Sequence, residues 1–187
     1  MIKAFFVTIM AVLTLSACTP VVEPPADGVF RPNVFRIPPG SKNKILFRHL
    51  DTINAVRTAS GLSPLELSAQ LNAAAKTHSI DMANQQRPWH FGSDGSSPIE
   101  RVQRAGYSLT MLGENISETY ETELQTLAAW MEVPDTRAVI VDPKGRDLGF
   151  AWHQEANGKI WWTLIVGGGG LAPALPEPAP QADIPQG

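Results

Sequence analysis

Side chains able to do chemistry are few in this chain of 187 residues, which carries four histidines and a single cysteine. The stretch MLGENISET (111–119) sets Glu114 and Asn115 between an apolar run and Ile116, where a strand favours branched or aromatic residues. A charge placed there either meets a partner or faces a cavity. Glu114 and Asn115 can thus be a strand-end pair bonded to loop amides, a cleft wall, or both. His90 lies in WHFGSDGS, close in sequence to Ser93, Ser96 and Ser97, which raises a hydrolase. No G-x-S-x-G elbow is present, however, and nearness along the chain does not make a nucleophile–base bond. His90 can equally be a loop histidine bonded to a carbonyl. His78 falls on the apolar side of a helical pattern and reads as a satisfied core histidine. His153 reads as surface or sheet packing, and Trp130, Trp152, Trp161 and Trp162 as core or pocket aromatics before ligand contacts.

The elements that must position these groups follow from periodicity. Ser41 is expected to cap a first helix with Leu46, Leu50, Ile53 and Val56 inward, ending at Gly61. A second follows Ser63-Pro64-Leu65, with Leu67, Leu71, Ala74, Ala75, His78 and Met82 on one face. Ser97-Pro98 opens a third that Gly106 stops. A fourth carries Leu124, Leu127, Ala128 and Met131 and ends before Pro134. Then the period changes: LGFAWHQ (148–154) and KIWWTLIV (159–166) flank Ala156-Asn157-Gly158, a strong hairpin signal. Both parities of the second strand are apolar, with Ile160, Trp162, Leu164 and Val166 on one side and Trp161 and Ile165 on the other. A sheet wet on one face would alternate. This one is expected to be covered on both, giving an α+β three-layer α-β-α sandwich with a small, mostly antiparallel sheet and GENIS as a third strand.

The ends of the chain carry a separate message. After Lys3, Ala4–Leu15 is twelve largely apolar residues, too short for a bilayer span of roughly 20 residues but suited to a secretory signal peptide. Leu15-Ser16-Ala17-Cys18 resembles a bacterial lipobox, in which the cysteine is lipidated and becomes the first mature residue. The chain is therefore expected to carry a signal peptide at 1–17 and a lipidated Cys18 opening a Pro-rich tether at 18–40. A domain at 41–167 follows, then a disordered Gly/Pro/Ala-rich tail at 168–187. Thr19 and Pro20 lack the inner-membrane retention aspartate. This favours the outer membrane, its periplasmic face or the cell surface, if the source has two membranes. With Cys18 consumed, no disulfide remains. A net charge of −3 without a basic block gives no reason to expect nucleic acid as a partner.

In order along residues 50 to 166, NAVRTASGLSPLELSAQLNAAAKTHSIDMA, HFGSDGSSPIERVQRAGY, GENIS, AAWMEVPDTRAVIVDP and the closing hairpin resemble the bacterial form of the CAP superfamily. This is the SCP-like group of cysteine-rich secretory, antigen-5 and pathogenesis-related proteins. The resemblance implies the same sandwich, and a cleft shared by two histidines and one or two glutamates that holds a divalent metal in some members. His90 matches the first histidine and Glu114 the first glutamate. Thr136 stands where the second histidine belongs, and Asp135 is a neighbouring substitute; Val133 falls where animal members place another glutamate. Zinc needs three or four protein ligands, so no strong metal site and no cofactor are expected. A weak divalent ion at His90 and Glu114 stays open.

The leading expectation is a membrane-anchored, non-catalytic module whose cleft, formed by His90, Glu114, Asn115, Thr136 and Asp135, binds a small apolar or envelope ligand. Alanine at His90 and Glu114 would then leave stability nearly intact. A peptidase or amidase using His90 and Glu114 with a weakly held metal is the alternative, and a structural envelope spacer the third reading. Arg101 either anchors a loop or pairs with a carboxylate.

Overall fold

The computed structural model describes residues 34–172. The expected signal peptide, Cys18 with tether residues up to 33, and tail residues 173–187 lie outside the described residues. Helix α1 spans Lys42–Ala59 and buries Ile45, Leu46, His49, Ile53 and Arg57. This face is rotated slightly from the Leu46–Leu50–Ile53–Val56 stripe because it turns two polar side chains inward. Arg57 explains part of that turn: its guanidinium donates to the carbonyls of Ser63, Ile140, Asp142 and Gly145, tying the α1–β1 and α5–β3 connections to one helix end. Ser41 does not cap α1. Its φ of −78° is already helical, and its hydroxyl donates to Pro38 O at 2.6 Å.

Strand β1 is only Glu66–Leu67, so Leu67 belongs to a strand rather than to the second helix. The cap is Ser68, which accepts from Leu71 N and starts α2 at Ala69–Gln85. Helix α3 is Pro98–Arg104, opened by a reciprocal Ser97–Glu100 capping box with Pro98 in its first turn. Strand β2 (Leu109–Ser117) contains GENIS. Helix α4 (Glu123–Glu132) ends before Pro134. A further short helix, α5 (Pro134–Ile140), follows immediately, because a proline that ends one helix suits the first position of the next.

Strands β3 (Gly145–Gln154) and β4 (Ile160–Leu171) form the hairpin. Gly158 takes φ +101° in its loop. The sheet order is β1-β3-β4-β2, with β1 parallel to β3 and the other pairs antiparallel. Strand β4 runs through Gly168–Leu171, pairing with Leu109 and Thr110, four residues past the expected domain end.

The side-chain parity of β4 organises the core. Trp162, Leu164 and Val166 face α1, α4 and α5 with Ile53, Leu127, Trp130 and Ile140. Ile165 meets Leu71, Ala74, Ala75 and Val102 from α2 and α3, and Trp161 meets Met82. Helix α2 lies so close to β3 that a Cβ at Gly149 would sit 2.3 Å from the Leu71 carbonyl carbon. The proline-rich segment also enters the domain. Phe35 and Ile37 pack against the core, and Gln154 bonds both the Phe35 carbonyl and the Ile37 amide.

Candidate functional site

Glu114 sits on edge strand β2, registered against Ile165 on the α2 side of the sheet. Its side chain is 1% exposed. Arg101, on α3, reaches it through one terminal nitrogen, 2.8 Å from Oε2 and 3.1 Å from Oε1, and the same nitrogen donates to His90 O at 3.1 Å. His90 Nδ1 stands 2.9 Å from Oε1, while the outer face of its ring is half exposed. His78 brings Nε2 to 3.7 Å from Oε1, outside bonding distance.

The capping box fixes this arrangement. It starts α3 at Pro98, which places Arg101 one turn in, and Arg101 then ties the His90 loop to the sheet. Burial pushes the Glu114 carboxyl up, but the His90 bond and the neighbouring positive charge outweigh it and hold the group below the usual carboxylate range. His78 is pushed down chiefly by its own burial, so Arg101 is the charge that keeps Glu114 ionised.

The other expected cleft residues are elsewhere. Asn115 follows Glu114 in a strand, so its side chain leaves the opposite face. There it donates to Thr136 O at 2.8 Å, on the α4–α5 side. The Thr136 hydroxyl donates to Trp130 O at 2.6 Å, closing the corner between α4 and α5. Asp135 is exposed in the first turn of α5. Edge strand β2 thus carries His90 and Glu114 in contact on one face and Asn115 in contact with Thr136 on the other.

Residues 50–166 match the Cysteine-rich secretory protein family, CAP. The chain belongs to the CAP family. Over 118 residues it is 28% identical to YkwD, an uncharacterized protein of Bacillus subtilis, covering 63% of this chain and 45% of YkwD. Its fold is similar to that of an outer surface protein from Borrelia burgdorferi (TM-score 0.62, 18% identity, covering 72% of this chain and 98% of that one). It is also similar to an extracellular protein from Bacillus anthracis containing an SCP domain (TM-score 0.62, 20% identity, 68% and 41%). The chain thus spans under half the length of these two Bacillus relatives.

For this CAP domain, the donor set around Glu114 does not fit a divalent cation. Both carboxylate oxygens accept from a guanidinium, whose charge would repel the ion, and no third carboxylate or cysteine joins. Among the described residues, no group of three or more His, Cys, Asp or Glu is disposed to hold a metal. Nor does a serine serve His90: Ser93 gives its hydroxyl to Asp81 at 2.6 Å and Ser97 caps α3. A groove of about 530 Å³ between α2 and α3 is lined by Asp81, Asn84, Ser93, Asp94, Arg101 and others, but not by His90 or Glu114. The sequence offered Arg101 as a carboxylate partner without saying which. His78 is fully buried, with the Trp89 backbone and Glu114 as its polar neighbours.

Proposed function

We propose that this chain is a non-catalytic CAP module of the bacterial envelope, anchored through lipidated Cys18, which binds a small apolar or envelope ligand. The observation that supports binding over catalysis is the occupancy of Glu114. A general base must reach a substrate proton, but both Glu114 oxygens are engaged by a buried guanidinium inside the fold. What His90 offers to solvent is a half-exposed ring face, a contact surface rather than half of an acid–base couple. The reading as an envelope spacer needs only the tether, and no described residue favours it over ligand binding.

The test pairs two measurements on the full chain. Calorimetric titration with zinc is expected to give no binding at micromolar affinity in the wild type, since the Arg101 guanidinium already engages both Glu114 oxygens. Incubation with envelope peptides is expected to yield no cleavage products. Micromolar zinc binding by the wild type, or hydrolysis lost in His90→Ala, would overturn the proposal in favour of a hydrolase.

A further inference from the structure

We propose that the groove where the start of α1 meets the free edge of β3 binds a small organic anion, a carboxylate carried on a compact apolar body. This rests on the reading of the chain as a binding module and moves its ligand away from the His90–Glu114 cluster. The cavity measures about 270 Å³ and is lined by Lys42, Asn72, Lys76, Phe150, Ala151 and Trp152. None of these six is acidic, and two are cationic.

The backbone explains why a cavity exists there. Strand β1 pairs only with Asp147 and Leu148, so from Gly149 onward β3 has no neighbour on its outer side. That edge is guarded by side chains: Asn72 Oδ1 accepts from Phe150 N at 2.7 Å, and Lys76 Nζ donates to Trp152 O at 2.6 Å. An extended peptide adding to the edge would have to displace both, which favours a small ligand over a strand.

Three features give the ligand its charge and body. Lys76 spends one of its three donor hydrogens on Trp152 O, leaving two. Lys42 stands at the positive end of α1, whose first turn has no acidic residue and no side-chain cap, so the helix dipole adds to the ammonium. In support, burial and the Lys42 charge push the Lys76 ammonium below its ordinary value, the sign of two cations without an anion between them. The apolar wall is Phe150 and Trp152, with ring centroids 6.1 Å apart, backed by Trp162. The volume lies below the roughly 300–1,000 Å³ of drug-sized sites, so the ligand is a short acyl or single-ring carboxylate.

The experiment titrates the ¹⁵N-labelled full chain with hexanoate and, separately, with hexanol, following amide and indole signals. Hexanoate is expected to shift the Trp152 indole and the Phe150 and Ala151 amides saturably. Hexanol should bind about tenfold more weakly or worse. The Lys42→Gln/Lys76→Gln double variant should lose at least about tenfold in hexanoate affinity at unchanged melting temperature, with Lys44→Gln as an unaffected control. Equal affinity for hexanol, shifts mapping elsewhere, no saturable shift, or full affinity in the double variant would each overturn the site. Those failures leave the binding-module reading standing, which falls instead to zinc binding or hydrolysis.

Discussion

Glu114 and His90 touch each other yet differ in what their loss would do. Truncating Glu114 strands the Arg101 guanidinium in the interior, and breaking a buried pair from one side costs about 3–5 kcal/mol. Truncating His90 removes a half-exposed ring and one bond, an effect of about 1 kcal/mol or less. The prediction is a strong asymmetry between Glu114→Ala and His90→Ala in urea-unfolding free energy. Equal, small losses would return Glu114 to the cleft residue that the sequence alone made it. This corrects the expectation that alanine at both positions is harmless. It also marks what was legible here: the family spacing identified the two residues that meet, but not the third that neutralises them. Arg101 reaches Glu114 from α3 across 13 residues of chain, a pairing that the helix signal alone does not encode.

At the scale of elements, period was readable where the signal was local and capping only in part, since Ser97 caps α3 but Ser41 does not cap α1. The doubly apolar parity of KIWWTLIV became the two-faced sheet, and Ser97-Pro98 with Glu100 became a capping box. Short or dual-purpose signals were not readable. A two-residue strand has no period, and Pro134 served as both stop and start. Arg57 sat in a helix pattern that treats arginine as surface, because its four carbonyl acceptors come from segments up to 88 residues away. Two substitutions probe the elements. Ser97→Ala should cost about 1 kcal/mol by removing the α3 cap, and through α3 it should loosen Arg101. Gly149→Ala should do far more. The new methyl would meet backbone rather than a movable side chain, so the α2–β3 contact must open, and a melting temperature within a degree or two of wild type would refute that packing.

Over the whole molecule, acid sensitivity gathers on one layer and segment limits on another. His49 is fully buried, stacked on Phe150 with centroids 3.7 Å apart, and its pKa falls to about 3 through burial. The folded state keeps it neutral while the unfolded chain takes up a proton below pH 6.5. Stability from this group is therefore complete above pH 6.5 and lost as pH falls toward 3, at about 1.4 kcal/mol per unit. His49→Phe should flatten the unfolding free energy between pH 7 and 5; an unchanged slope would exclude His49 as the cause.

The limits of the folded unit give the last prediction. Cutting the chain to 41–167 removes Phe35 and Ile37 from the α1–β4 core, strips Gln154 of two of its three partners, and deletes the Gly168–Leu171 extension that pairs with Leu109 and Thr110. Fully burying a large apolar side chain contributes about 1.5–3 kcal/mol. Two partly buried ones and a shortened β2–β4 ladder should together lower stability by a few kcal/mol relative to a 34–172 fragment. Proline-rich composition predicts an extended chain, and of that segment residues 34–40 are described. Composition does not say whether an extended chain finds a surface to lie on, and the exposed flank of the β3–β4 hairpin supplies one. Matching urea midpoints for the two fragments would show that this flank is dispensable and that the fold closes at residue 41.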